Sequence, residues 1–113
     1  MLTIYHNPRC GKSRQTLALI QEKEEEVQVV KYLETPLTKD ELRSLVEKLG
    51  ITAEQLIRKN EKIFKENYKG KELSEEEWLE AMVAHPILME RPIVVKGDKA
   101  VLGRPPENVL ELL

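Results

Sequence analysis

Leu2-Thr3-Ile4-Tyr5-His6-Asn7-Pro8-Arg9-Cys10-Gly11-Lys12-Ser13-Arg14 is the stretch on which the fold turns. Leu2, Ile4 and His6 alternate with Thr3 and Tyr5, which predicts a short strand, and Asn7-Pro8 stops it. From Ser13 to about Glu25 the chain is rich in helix formers, with Leu17, Ile20 and Ala18 as the expected buried stripe. Glu24, Glu25 and Glu26 then read as a solvated charge run. The single cysteine therefore falls where a strand ends and a helix begins. At such a junction the free N–H groups of residues 11–14 point at a thiolate or a bound anion, and the helix dipole favours negative charge. Arg9, Lys12 and Arg14 add to that field. The expected result is a Cys10 thiol of depressed pKa, nucleophilic near neutral pH, in a turn setting unlike that of an inert buried cysteine.

Outward from this junction, Val27, Val29 and Val30 predict a second strand, leading to Tyr32-Leu33 and the breaker Pro36. Thr38-Lys39-Asp40-Glu41 is a capping box followed by Leu42, Leu45, Val46 and Leu49, with Gly50 just past the helix end. Thr52-Ala53-Glu54-Gln55 predicts a shorter helix that carries Leu56 and Ile57 and reaches Arg58. Ser74-Glu75-Glu76-Glu77 caps another, with Trp78, Leu79, Met82 and Val83 on its apolar side, ending near His85-Pro86. Ile93-Val94-Val95 is a β-branched run, and Lys96-Gly97-Asp98-Lys99 turns it into Ala100-Val101-Leu102, a hairpin. Gly103-Arg104 ends that strand, and Pro105-Pro106 opens a last helix towards Leu113. The order β-α-β, helical block, β-β-α predicts an α/β fold. Its expected form is a thioredoxin-like four-stranded mixed sheet with flanking helices. A helical insertion over about residues 38–84 is expected within a single domain, 1–113.

A chain of 113 residues suffices for one core. Eighteen basic against twenty acidic side chains leave a net charge of −2, which excludes a basic nucleic-acid coat or a polybasic membrane binder. No apolar run approaches 18 residues, so no membrane span is expected. The start, Met1-Leu2-Thr3-Ile4-Tyr5-His6, lacks the basic and apolar regions of a signal peptide, and a cytoplasmic location is expected. One cysteine can form neither an internal disulfide nor a cysteine zinc site, and the two histidines have no third ligand at suitable spacing, so no metal is expected.

Three motifs nearly match around Cys10. Gly11-Lys12-Ser13 has the tail of a phosphate-binding loop, but its first glycine would fall at His6, so the nucleotide reading fails. Cys10-Gly11-Lys12-Ser13 occupies the place of a C-x-x-C motif, and Ser13 removes the resolving thiol of a self-contained dithiol cycle. A C-x5-R phosphatase loop would need arginine where Thr16 stands. What remains is His6-x3-Cys10-x3-Arg14.

Residues 4–14, with Tyr32-Leu33-Glu34-Thr35-Pro36, Ile57-Arg58-Lys59-Asn60, His85-Pro86-Ile87-Leu88, Glu90-Arg91-Pro92-Ile93-Val94-Val95 and Leu102-Gly103-Arg104-Pro105, together resemble the glutaredoxin-linked arsenate reductases of the thioredoxin-like superfamily. These motifs spread over nearly the whole chain. The resemblance implies an oxidoreductase of arsenic detoxification in which Cys10 attacks arsenate, and Arg58, Arg91 and Arg104 hold the oxyanion and serve catalysis. It implies His6 as a support near the cysteine, and Arg14, by its charge, is expected to support the same site. It also implies glutathione as external reductant, glutaredoxin as partner and no bound cofactor. The residue types suit this chemistry, since arginine's rigid fork of donors matches a tetrahedral oxyanion better than lysine's point charge, and several cations offset repulsion between thiolate and anion. Compared with well-studied reductases, the chain is expected to lack a C-terminal extension.

Simpler structural roles compete with these. Arg43 is expected to be an ordinary surface residue, and Arg58, at a helix end, would also complement the helix dipole. Arg91 precedes Pro92 at the start of a buried strand, where a cis peptide bond is expected. His6 reads equally well as structural, His85 as a packing or capping residue, and Trp78, Met82 and Val83 as core. Two other functions share this fold: a redox-responsive regulator binding RNA polymerase, which Ser13 and the arginine set disfavour, and a homologue acting on another small oxyanion or a glutathione-linked substrate.

Overall fold

The computed structural model describes residues 2–23 and 25–113; Glu24, in the expected charge run, lies outside the described residues. The chain divides into two compact units, one of residues 1–35 and 91–113 and one of residues 36–90.

The first unit holds a four-stranded sheet built from β1 (Leu2–Tyr5), β2 (Val27–Val30), β3 (Ile93–Lys96) and β4 (Lys99–Leu102), in the order β2-β1-β3-β4. β1 runs parallel to β2 and antiparallel to β3, and β3 and β4 form the expected hairpin. Gly97 turns that hairpin at φ +63°, a conformation that costs glycine little. Between β1 and β2 lies α1 (Gly11–Glu22), and a 3₁₀ helix, Pro106–Leu112, closes the chain in place of the expected α-helix. Leu2, Ile4, Ile20, Val94, Val109 and Leu112 form the core of this unit, joining sheet, α1 and the closing helix.

The expected inner stripe of α1 holds at Ile20, in the core, and at Leu17, which packs partly buried against it, but not at Ala18. Ala18 is exposed, and the buried positions are Ser13, Thr16 and Ile20. Only the last is apolar, because the first turns of α1 face loops whose polar backbone needs partners.

The second unit is helical: α2 (Lys39–Leu49), α3 (Lys62–Asn67) and α4 (Glu75–Ala84). Both expected capping boxes form, Thr38 with Glu41 and Ser74 with Glu77, and Gly50 ends α2 in the left-handed conformation. Lys39 and Arg43 on α2 meet Glu76 on α4 at 2.7 Å each, so Arg43 is indeed a surface ion-pair residue. Phe64, Tyr68 and Trp78 stack at 6.1–6.3 Å, and His85 caps α4 and packs edge-on against Tyr68 at 6.1 Å. Two expectations fail here. The helix from Thr52 to Arg58 is only a 3₁₀ turn, Glu54–Leu56, because the backbone then leaves to pair elsewhere: Ile57 bridges Met89, and Arg58 N–H donates to Leu88 O at 2.7 Å. Val83 is 38% exposed, and Ala81 takes its place on the buried face of α4.

Candidate active site

Sheet register assembles the site. Tyr5 pairs with Ile93, and Ile93 with Leu102, so the chain after β1, before β3 and after β4 leaves one end of the sheet together. Those three exits carry Cys10, Arg91-Pro92 and Gly103-Arg104. Gly103 N–H donates to Pro92 O at 2.9 Å, and the buried Gly103 leaves no room for a side chain, since a Cβ would lie 2.6 Å from Thr16 Oγ1 and 2.8 Å from Pro92 Cγ. This close approach seats the end of β4 against α1. Arg91-Pro92 is cis, as expected, and so is Arg104-Pro105.

Cys10 is the N-cap of α1, in extended conformation (φ −94°, ψ 122°). Its N–H donates to Asn7 O at 3.0 Å and its O accepts the first helical bond from Arg14 N–H. No side chain caps this helix, so its first-turn donors are left for the sulfur. Burial by itself would raise the thiol pKa. The Ser13 N–H, the Arg91 guanidinium by hydrogen bonding and charge, and the Lys12 N–H outweigh it and bring the pKa below the ordinary thiol value. The cysteine is half-buried, open to a reagent.

Arg104 directs Nη1 to Arg91 O at 3.2 Å, with Cys10 Sγ 4.0 Å from the same nitrogen. Arg91 is the more telling residue. Its Nε and Nη1 are buried without a hydrogen-bond partner among the described residues, donors whose desolvation an oxyanion would relieve. Cys10, Arg91 and Arg104 thus stand together.

The supporting residues have structural partners. His6 Nδ1 lies 2.6 Å from Ser13 Oγ, which also accepts Asn7 N–H at 3.1 Å. Burial lowers the His6 pKa, and the charges of Lys31 and Arg14 lower it further, so the ring is neutral at pH 7. Ser13, where a resolving thiol would stand, is fully buried in this network. Arg14 Nη1 donates to Pro8 O at 2.9 Å and pins the loop that carries Cys10. Thr16, not singled out by the sequence, donates Oγ1–H to Lys12 O at 2.8 Å and anchors the same turn.

Arg58 lies in the second unit. Glu61 and Glu90 flank it at 3.7 Å, too long for hydrogen bonds, and its Nε is buried without a hydrogen-bond partner among the described residues. Among the described residues no cluster of three or more His, Cys, Asp or Glu side chains is placed to hold a metal ion. No helix of the described residues is long and apolar enough to cross a membrane.

The site is thus a lone cysteine at the N-terminus of the first helix of a four-stranded mixed sheet, with Arg91 and Arg104 beside it. The ArsC family model matches residues 5–112, and the chain belongs to the ArsC family. The chain is 54% identical over 112 residues to the Escherichia coli protein YfgD, described as uncharacterised, covering 97% of this chain and 94% of that one. It is 46% identical over 112 residues to a Haemophilus influenzae protein named arsenate reductase, covering 97% of each. The solved structure of an arsenate reductase from Vibrio cholerae superposes with a TM-score of 0.94 at 46% identity, covering 99% of this chain and 97% of that one.

Proposed function

We propose that this chain is an arsenate reductase that uses Cys10 as nucleophile and draws its reducing power from glutathione and glutaredoxin in the cytoplasm, acting as a single domain. The observation that carries the reading is the pairing of a pKa-lowered Cys10 with two buried Arg91 nitrogens that have no hydrogen-bond partner among the described residues. The near full-length likeness to proteins named arsenate reductase supports it.

In the proposed cycle the Cys10 thiolate attacks the arsenic of H₂AsO₄⁻. One proton is taken up, water leaves, and a Cys10 S–As(V) bond forms. A glutathione thiolate then attacks Cys10 Sγ. The S–As bond breaks, arsenic keeps the electron pair and becomes As(III), and arsenite leaves with a proton. A glutaredoxin thiolate attacks the glutathione sulfur of the mixed disulfide and frees Cys10 as thiolate. A second glutathione clears glutaredoxin as glutathione disulfide, so two glutathiones supply the two electrons.

Arg91 and Arg104 hold the oxyanion in this scheme, with Arg58 as a third donor on the strength of the family likeness. Arg14 and His6 act through the loop: one bonds Pro8 O, the other Ser13. No bound cofactor is required. The test is arsenate-dependent NADPH oxidation coupled through glutathione reductase, with glutathione and glutaredoxin present. Turnover in the wild type that vanishes in a folded Cys10→Ser variant is expected; undiminished turnover in that variant would overturn the mechanism.

A further inference from the structure

His6 N–H donates to Val30 O at 2.8 Å, which sets the loop leaving β1 beside the turn leaving β2 at one end of the sheet. Between them lies a cleft of about 280 Å³ lined by His6, Asn7, Arg9, Lys31, Leu33 and Glu34, near the small end of ligand clefts. Floor and rim differ in character. His6 and Asn7 are buried beneath it, while Arg9, Lys31 and Glu34 are exposed around it. The turn is closed by the Glu34 and Thr35 N–H groups donating to Lys31 O at 3.0 and 2.9 Å. Lys31 and Glu34 therefore sit three residues apart on one turn, yet no ion pair of the described residues involves Arg9, Lys31 or Glu34.

With His6 neutral, the cleft presents two cations and one carboxylate. Glutathione presents the complement: two carboxylates and one ammonium, joined by short methylene spacers. Leu33, 39% exposed, offers an apolar wall for those spacers. Cys10 is the next residue after Arg9, tied back through its N–H to Asn7 O, so the cleft borders the loop that carries the sulfur. We infer that this cleft between residues 6–9 and 31–34 seats the glutathione that attacks the Cys10 adduct, with Arg9 and Lys31 on its carboxylates and Glu34 on its ammonium. This inference rests on the arsenate-reductase reading and names the reductant's place in it.

The test uses the full chain with S-methylglutathione, which cannot react, and the exposed charge reversals Lys31→Glu and Glu34→Lys. Amide NMR shifts on titration with S-methylglutathione are expected at residues 6–9 and 31–34. Each reversal is expected to weaken that binding roughly five- to tenfold, the effect of a partly exposed charge contact. In turnover the KM for glutathione rises by the same factor, while the KM for arsenate and the rate of Cys10 alkylation by iodoacetamide stay within about twofold. Absence of shifts at these residues overturns the inference, as do reversals that leave the glutathione KM unchanged or that raise the KM for glutaredoxin instead. Binding of S-methylglutathione needs neither arsenate nor glutaredoxin. Bound S-methylglutathione in a protein without arsenate turnover would uphold the cleft and overturn the arsenate reading, whereas turnover without binding there would overturn the cleft alone.

Discussion

His6 Nδ1 and Ser13 Oγ stand 2.6 Å apart, one buried hydrogen bond that ties the end of β1 to the first turn of α1. Ser13 Oγ also accepts Asn7 N–H, so a single hydroxyl satisfies two groups of the loop that carries Cys10. Ser13→Ala leaves both unpaired in a buried setting, at a cost of about 1–3 kcal/mol. A melting temperature several degrees lower is expected in thermal unfolding, on the scale of a change of about 1 kcal/mol in a domain of this size. An unchanged melting temperature would show that this bond carries no stability.

Arg91 acts on the thiol by both hydrogen bond and charge. In Arg91→Ala the midpoint of Cys10 alkylation against pH should move upward, and in Arg91→Lys, which keeps the charge, it should move less. Arsenate affinity in Arg91→Ala should fall by about 1.5–3 kcal/mol, the scale of a charge-assisted hydrogen bond. An alkylation profile identical to the wild type would show that Arg91 does not support the thiolate.

Gly103→Ala places a methyl group 2.6 Å from Thr16 Oγ1 and 2.8 Å from Pro92 Cγ, neither a flexible side-chain end. Overpacking of this kind costs about 1–3 kcal/mol. Because Arg104 follows directly, the KM for arsenate should rise with the loss of stability. Thr16→Ala in the same chain should recover only part of the loss, since Pro92 remains. Urea unfolding and arsenate kinetics on the two variants check this.

The His6 pKa is lowered in the folded state, so the native protein binds the ring proton less readily than the unfolded chain. The stability from neutral His6 is therefore fully present above the unfolded value of 6.5 and is lost as pH falls through the lower folded value. Glu76, with a pKa of about 2 set first by Arg43 and then by Lys39, acts in a separate, more acidic window below 4.5. Urea midpoints measured from about pH 7.5 to about pH 5 should fall more steeply in the wild type than in His6→Gln. Parallel curves would show that His6 protonation is not linked to folding.

Much of this architecture was legible in the residues because it is local. Thr38, Ser74 and Gly50 each act within one helical turn, and their caps form where expected. The helix predicted through Arg58 was not legible as a turn, since its ending depends on Leu88 and Met89, far along the chain. Helix α3 offered no capping box to announce it: its N-cap, Glu61, makes no side-chain cap bond.

The lone cysteine at a strand-to-helix junction, with helix N–H groups and cations around it and no second thiol at Ser13, is readable from the residues alone. Those properties follow from neighbours within a few residues. Which distant side chains reach that sulfur depends on how the strands pair. The register Tyr5–Ile93–Leu102 brings the exits of β1, β3 and β4 to one end of the sheet, and so sets Arg91 and Arg104 beside Cys10. Tertiary packing also turns Ser13 and Thr16 inward alongside Leu17 and Ile20, because loops packed there need hydrogen-bond partners. Pairing between strands from opposite ends of the chain leaves no local trace in the residues, and that pairing builds the site.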